Sequence, residues 1–183
     1  MKFIRVIPDY NHLWAVKEDE KETDELSMLF RQWNNLNYLL DFFLANMDDL
    51  RGFFKMEKVS DAIRDTVEDA EELQRLILDF PYTERLDGLF HPLSLEDSRA
   101  RELTREKARN WDRRQHPSWL RVYAIRIEPN VYVVTGGAIK LTATMQEREH
   151  TQKELDKLNA CRDFLKRNSV FDRDSFVEFY KES

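Results

Sequence analysis

The sequence is short of the residues that interrupt or cross-link a chain: one cysteine, four glycines and five prolines occur among 183 residues. A single thiol excludes an internal disulfide and any site built from several thiolates, which leaves Cys161 as a small buried hydrophobe. With no Gly/Ser-rich tract, low-complexity segment or visible repeat, nothing marks a linker, and one domain over 1–183 is expected. Long apolar runs are missing too. The opening "MKFIRVIPDYNHLW" lacks the uninterrupted apolar stretch and small-residue cleavage site of a signal peptide, and no segment reaches membrane-spanning length. A cytoplasmic protein without a membrane partner is expected. The four histidines, His12, His91, His116 and His150, form no close-spaced pair, so neither a metal site nor a cofactor is predicted.

What is present is 42% hydrophobic residues, enough for one domain with a real core, and a charge distribution more uneven than the net of −6 suggests. Residues 1–98 hold 11 basic and 22 acidic side chains, whereas residues 99–126 hold nine basic and three acidic ones. The remainder is close to neutral. A protein acidic overall is a poor non-specific nucleic-acid binder, because counterion release needs cations gathered opposite phosphates. A local basic face on residues 99–126 is compatible with binding RNA.

Periodicity divides the chain further. "KFIRVI" and "LWAVK" read as two short strands separated by Pro8 and a turn. Leu26, Phe30, Trp33, Leu36, Leu40, Phe43, Leu44 and Met47 follow helical spacing and predict one helix of about six turns over 24–47. After a break near Gly52, Ser60 is the expected cap of a second helix, buried through Ile63, Val67, Ala70, Leu73, Leu76 and Ile77 and stopped by Pro81. "LDGLFHPLS" reads as a loop. Ser94 precedes an arginine-rich, exposed helix reaching to about Trp111. Residues 119–142 then form a hairpin across Glu128-Pro129-Asn130, with Gly136-Gly137 marking a bulge. Thr151-Gln-Lys-Glu154 matches a capping box for a helix to about 167, and a last short helix covers 175–180. The order predicts an α+β fold: a small antiparallel sheet, made from the N-terminal strands and the hairpin, packed against several helices, with 20–80 as a helical front.

The stretch from Arg121 through Thr151 and its following helix resembles the C-terminal half of the RelE/HigB-like toxins of bacterial toxin–antitoxin systems. Arg121-Val-Tyr-Ala-Ile matches that family's arginine-bearing strand, and "NVYVVTGGAIKLT" its second strand, with Gly136 and Lys140 on motif positions. The chain departs from the motif at Thr135, Gly137 and Ile139, where the family carries histidine, phenylalanine and its first lysine. It is also longer and more acidic than a typical member. The resemblance implies a RelE-like sheet, ribosome-dependent mRNA cleavage by attack of a ribose 2′-hydroxyl on the adjacent phosphate, and an antitoxin protein as partner. It places Arg121 and Lys140 in catalytic roles as cations, and His150, the only histidine in that stretch, is the candidate proton carrier. Arg126, Tyr123, Tyr132, Arg148, Arg113 and Arg114 are the expected substrate contacts, the tyrosines by stacking on bases.

A plainer reading stands beside this one at each position. Arg121 and Arg126 read equally as a solvated strand face, and the arginines of 99–114 as a helix laced by Glu102, Glu106 and Asp112. Two classes therefore stay open: an RNA-cleaving toxin, and a non-catalytic relative that binds a protein partner.

Overall fold

A computed structural model describes residues 1–83 and 85–182 of the chain. The fold is α+β, as the element order predicts. Six strands form one sheet: β1 (Lys2–Arg5), β2 (Leu13–Lys17), β3 (Phe90–Pro92), β4 (Thr104–Ala108), β5 (Leu120–Glu128) and β6 (Val131–Ile139). Their order across the sheet is β1-β2-β6-β5-β4-β3. The sheet is larger than expected and is not wholly antiparallel, because β2 runs parallel to β6.

Alternation along the strands explains why so much of the sheet is buried. Leu13 and Ala15 of β2 join one apolar cluster with Val122, Ala124, Tyr132 and Val134, while Trp14 and Val16 join a second with Tyr123, Ile125, Val131 and Val133. Successive side chains point to opposite faces, so two clusters mean two covered faces. The first face is covered by α1 (Glu25–Trp33), α2 (Leu36–Ala45), α3 (Met47–Phe54) and α4 (Val59–Thr83). The second is covered by α6 (Glu149–Arg167) and α7 (Arg173–Glu182). The strand at the centre, β6, is buried along its whole length, as a strand packed on both faces must be.

Three helical expectations change. The six-turn helix expected over 24–47 is two shorter ones, α1 and α2, with α3 beginning at its last residue, because Asn34, Asn35 and Asn46 offer the backbone alternative bonds. Asn34 and Asn46 donate their side-chain amides to the carbonyls of Phe30 and Phe42, each at 2.8 Å, and Asn35 caps α2 by accepting from Tyr38 N at 3.1 Å. Gly52 lies inside α3 and Ser60 inside α4, which runs through residue 81 to Thr83 rather than stopping there. Thr151 and Glu154 make no capping box either. α6 begins at Glu149; the box belongs to Thr144 and Glu147 on the preceding 3-10 turn, and Thr151 Oγ1 donates instead to the carbonyls of Met145 and Arg148.

The largest correction concerns residues 94–111. The helix there, α5 (Leu95–Arg99), ends after five residues, and β4 follows, paired in register with β5 from Thr104↔Arg126 to Ala108↔Val122. Thr104, Glu106 and Ala108 are buried while Arg105 and Lys107 between them are half-exposed, which is a strand's period of two. The segment read as a loop supplies β3 at the sheet edge.

The hairpin is as expected, turning at Pro129 and Asn130, whose φ of 67° suits asparagine. Tyr123 pairs with Gly136 and Ala124 with Val134, so Thr135 is the extra residue of a bulge beside the double glycine. Close approach demands glycine at 137, and a φ of 156° favours it at 136. A Cβ on Gly137 would meet the Arg121 carbonyl and Leu29, and one on Gly136 would meet the Glu154 carboxylate and Lys157 Nζ.

A candidate anion-binding site

Arg105 and Lys107 of β4 and Tyr123 and Arg121 of β5 lie on the face of the sheet that carries α6. That helix packs over β5 and β6. Towards β4 and β3 the same face opens into a cavity of about 650 Å³. Arg105, Lys107, Arg109, Arg121 and Lys140 line it, with His91 and Trp111 on one side and Thr144, Met145 and Leu155 on the other. No aspartate or glutamate lines it, although 35 of the 183 residues are acidic.

The five cations differ in what their charge faces. Arg105 is neutralised by Asp97, with Nε to Oδ1 at 3.0 Å, and also donates to Asn159 Oδ1. Among the described residues, none of the other four takes part in an ion pair. Arg121 donates from one guanidinium nitrogen to the carbonyls of Ser118 and Leu120, at 2.5 and 2.8 Å. Lys140 donates to the carbonyls of Thr142 and Ala143, at 2.7 and 2.6 Å. Carbonyls fix a cation in place without cancelling its charge. Arg109 rests over the Trp111 ring at 4.3 Å, and its Nε is buried without a hydrogen-bond partner. Lys107 has no hydrogen-bond or ion-pair partner among the described residues.

Their titration records the same crowding. Burial, then Arg121, Lys107 and Arg109, lowers the Lys140 ammonium to about 8, against a smaller opposing pull from Glu147. Burial followed by the neighbouring Arg109 lowers Arg121 to about 10. Lys107 is lowered by burial and then by Arg121 and Arg109. Beneath them the Tyr123 hydroxyl is buried and unpartnered, and burial pushes its ionisation upward. Partly buried cations that repel one another with no carboxylate between them form an arrangement that an anion would neutralise. A phosphate oxygen in the cavity would relieve that repulsion.

Two predicted catalytic cations, Arg121 and Lys140, thus meet in one cavity. His150 does not join them: it lies in the first turn of α6, within 2.8 Å of the Ile139 carbonyl and edge-on to Phe42. Tyr123 lines the cavity but is 1% exposed, so it has no free face for a base. Arg126 and Tyr132 belong to the opposite face. Arg126 lies five residues from Arg121, an odd interval on a strand, and approaches buried Glu106 at 3.4 Å. Tyr132 is fully buried, stacks on Phe90 at 4.6 Å and donates to Asp87 at 2.8 Å. Arg148 is committed to Asp49 of α3 through two bonds of 2.7 and 2.5 Å. Arg113 is 6% exposed and sits among α4 acceptors: Asp69 at 3.8 Å, Glu72 at 3.7 Å and the Asp65 carbonyl at 3.2 Å. Arg114 is exposed, away from the cavity and beside Glu68 and Glu72.

Lys107 and Arg109 were expected only as part of a basic face over 99–126, and His91 and Trp111 were not expected at a site. The signal was present in the alternation of Arg105, Lys107 and Arg109 with Glu106 and Ala108, which the helical reading of the same charges concealed. Among the described residues no helix is long and apolar enough to cross a membrane, and no group of three or more His, Cys, Asp or Glu side chains could hold a metal ion. No protein-family model, curated protein or solved structure matches the chain. The geometry stands on its own: a cavity on one sheet face lined by five cations and no carboxylate.

Proposed function

We propose that this cavity binds the phosphodiester backbone of single-stranded RNA, and that the chain is a RelE/HigB-like RNA-cleaving toxin. The observation that carries the reading is the convergence of Arg121 and Lys140, the two cations on that family's motif positions, with Lys107 and Arg109 in a cavity without a carboxylate. In such a reaction the ribose 2′-oxygen bonds to phosphorus and the bond from phosphorus to the 5′-oxygen breaks, leaving a cyclic phosphate and a 5′-hydroxyl. One proton leaves the 2′-hydroxyl and one reaches the departing oxygen. Lys140, titrating near 8, is suited to supply the second, and His91 at the rim is the candidate acceptor of the first. Arg121 and Arg109 face the charge that develops on the phosphorane. The substrate is then messenger RNA on the ribosome, the protein partner an antitoxin, and the location the cytoplasm.

A second reading, a non-catalytic relative that binds a protein, draws on α2. Leu36, Leu40 and Leu44 recur every fourth residue along it and are 63%, 42% and 58% exposed.

Induced expression in bacteria with mapping of RNA ends separates the two. Wild type should arrest growth and generate new ends. Lys140→Ala should lower cleavage about 100-fold or more. Lys107→Ala, which removes a side chain with no bonded partner, should keep the fold and lower cleavage about tenfold or more, the loss of a contact to a charged group. A soluble wild-type protein that produces neither arrest nor new ends sinks the ribonuclease reading and leaves the binding module.

A further inference from the structure

A second cavity, of about 440 Å³, lies against the first. Arg121, Lys140 and Ala143 line both, so the two cations form a ridge between two chambers. The chambers differ in chemistry. The first is walled by further cations, whereas the second presents Phe53, Phe54, His116, Pro117 and Leu141. Neither has an acidic lining residue.

The two phenylalanines are held differently. Phe54 is fixed from two sides, edge-on to Trp119 at 5.0 Å and to His116 at 5.7 Å. Phe53, in the last turn of α3, is 54% exposed. The turn beneath it is closed by Lys55, which adopts a left-handed conformation and returns its N–H to the carbonyls of Arg51 and Leu50. The backbone that carries Phe53 is therefore anchored while its ring is open. An exposed aromatic ring beside a cation ridge offers the two things a nucleotide has to match, a π-face and a phosphate.

We infer that the second chamber seats an unstacked nucleobase on Phe53 while the phosphate beside that base lies on the Arg121–Lys140 ridge. The inference rests on the phosphodiester reading of the first chamber and deepens it: the ligand is a single strand with a splayed base, because a base held in a duplex cannot turn its face to Phe53. It also gives the acidic helical front a task at the site. Phe53 comes from α3, in the part of the chain that the RelE-like resemblance does not cover.

The test is fluorescence anisotropy with a labelled single-stranded RNA decamer of mixed sequence and with the same decamer carrying abasic riboses. Wild type should bind the base-bearing strand more tightly. Phe53→Ala should weaken that binding about tenfold and leave abasic binding unchanged, the scale of one lost base–aromatic stack. Phe53→Tyr, which keeps the ring, should restore it. Lys107→Ala should weaken both strands alike, because it acts on phosphate. If Phe53→Ala is folded and binds both strands as wild type does, or weakens both equally, the base seat is overturned, and the phosphate site stands if Lys107→Ala still weakens both. If wild type binds neither strand, both readings fall.

Discussion

Arg113 and Lys107 belong to one basic stretch and live in different surroundings. Arg113 is 6% exposed and set against Asp69 and Glu72 of α4, in a layer where Ser118 donates to Asp69 at 2.5 Å and His116 lies 3.2 Å from Asp65. Lys107 faces Arg121 and Arg109 across a cavity with no carboxylate on its wall. The same formal charge is a structural tie in one place and an uncompensated field in the other. Arg105 with Asp97 and Arg126 with Glu106 fall with Arg113, while Arg109, Arg121 and Lys140 fall with Lys107. A count of basic residues cannot separate these groups. Strand register can, because it decides which face each side chain reaches and hence which charges it meets.

The comparison breaks first if the tied group proves dispensable. Arg113→Ala leaves the buried Asp69 carboxylate, whose ionisation burial already pushes upward, with its hydrogen bonds but without its ion-pair partner. Removing one partner of a buried ion pair costs about 3 kcal/mol or more. Chemical denaturation should show that loss. A variant as stable as wild type would mean that the Arg113 contacts, at 3.7 and 3.8 Å, contribute little.

How much of this was legible follows the same line. The two-sided sheet was partly visible, since Val131, Tyr132, Val133 and Val134 form an unbroken apolar run that only a doubly covered strand requires. A sequence motif singles out Arg121 and Lys140, and the structure brings both to one cavity. The odd interval between Arg121 and Arg126 could have separated them, yet both were expected on one strand face. β4 was not legible through hydrophobicity, because its inward residues are Thr104, Glu106 and Ala108. Glu106 is buried only because Thr104, Tyr132 and Arg126 surround it, and no local pattern announces partners that come from two other strands. The helix breaks at Asn34 and Asn46 hide for a related reason: an apolar stripe continues past a residue whose side chain competes for the backbone.

The second test sharpens the comparison by using opposite signs. Lys140 titrates near 8 in the folded chain, against an ordinary lysine value of 10.5. Below pH 8 it is protonated in both the folded and the unfolded chain. Between about 8 and 10.5 the unfolded chain keeps the proton and the folded chain has released it, so stability contributed by this group rises with pH across that window. Anion affinity needs the ammonium and moves the other way, falling as pH rises through 8. Thermal melts and RNA titrations at pH 7, 8 and 9 should show the two trends, with affinity dropping about tenfold across the range. Lys140→Arg, which stays charged, should flatten both relative to wild type. If the two proteins share one profile, Lys140 is not the group responsible.

The smallest effect expected is at Arg114, the neighbour of Arg113 in sequence. Its side chain is exposed, forms no ion pair among the described residues and lies near Glu68 and Glu72, outside both chambers. Exposed substitutions of this kind usually change stability by less than about 0.5 kcal/mol. Arg114→Glu should therefore melt close to wild type and bind RNA with nearly unchanged affinity, the added repulsion being screened at physiological salt over a distance of about 8 Å. A double reversal of Arg113 and Arg114 would confuse the two cases, since unfolding through Arg113 would pass for loss of a binding surface. Measured alone, Arg114→Glu isolates surface charge from built charge. A tenfold loss of RNA affinity in this variant would mean that the strand runs out of the cavity along the α4 side, and that the division between tied and free cations is drawn in the wrong place.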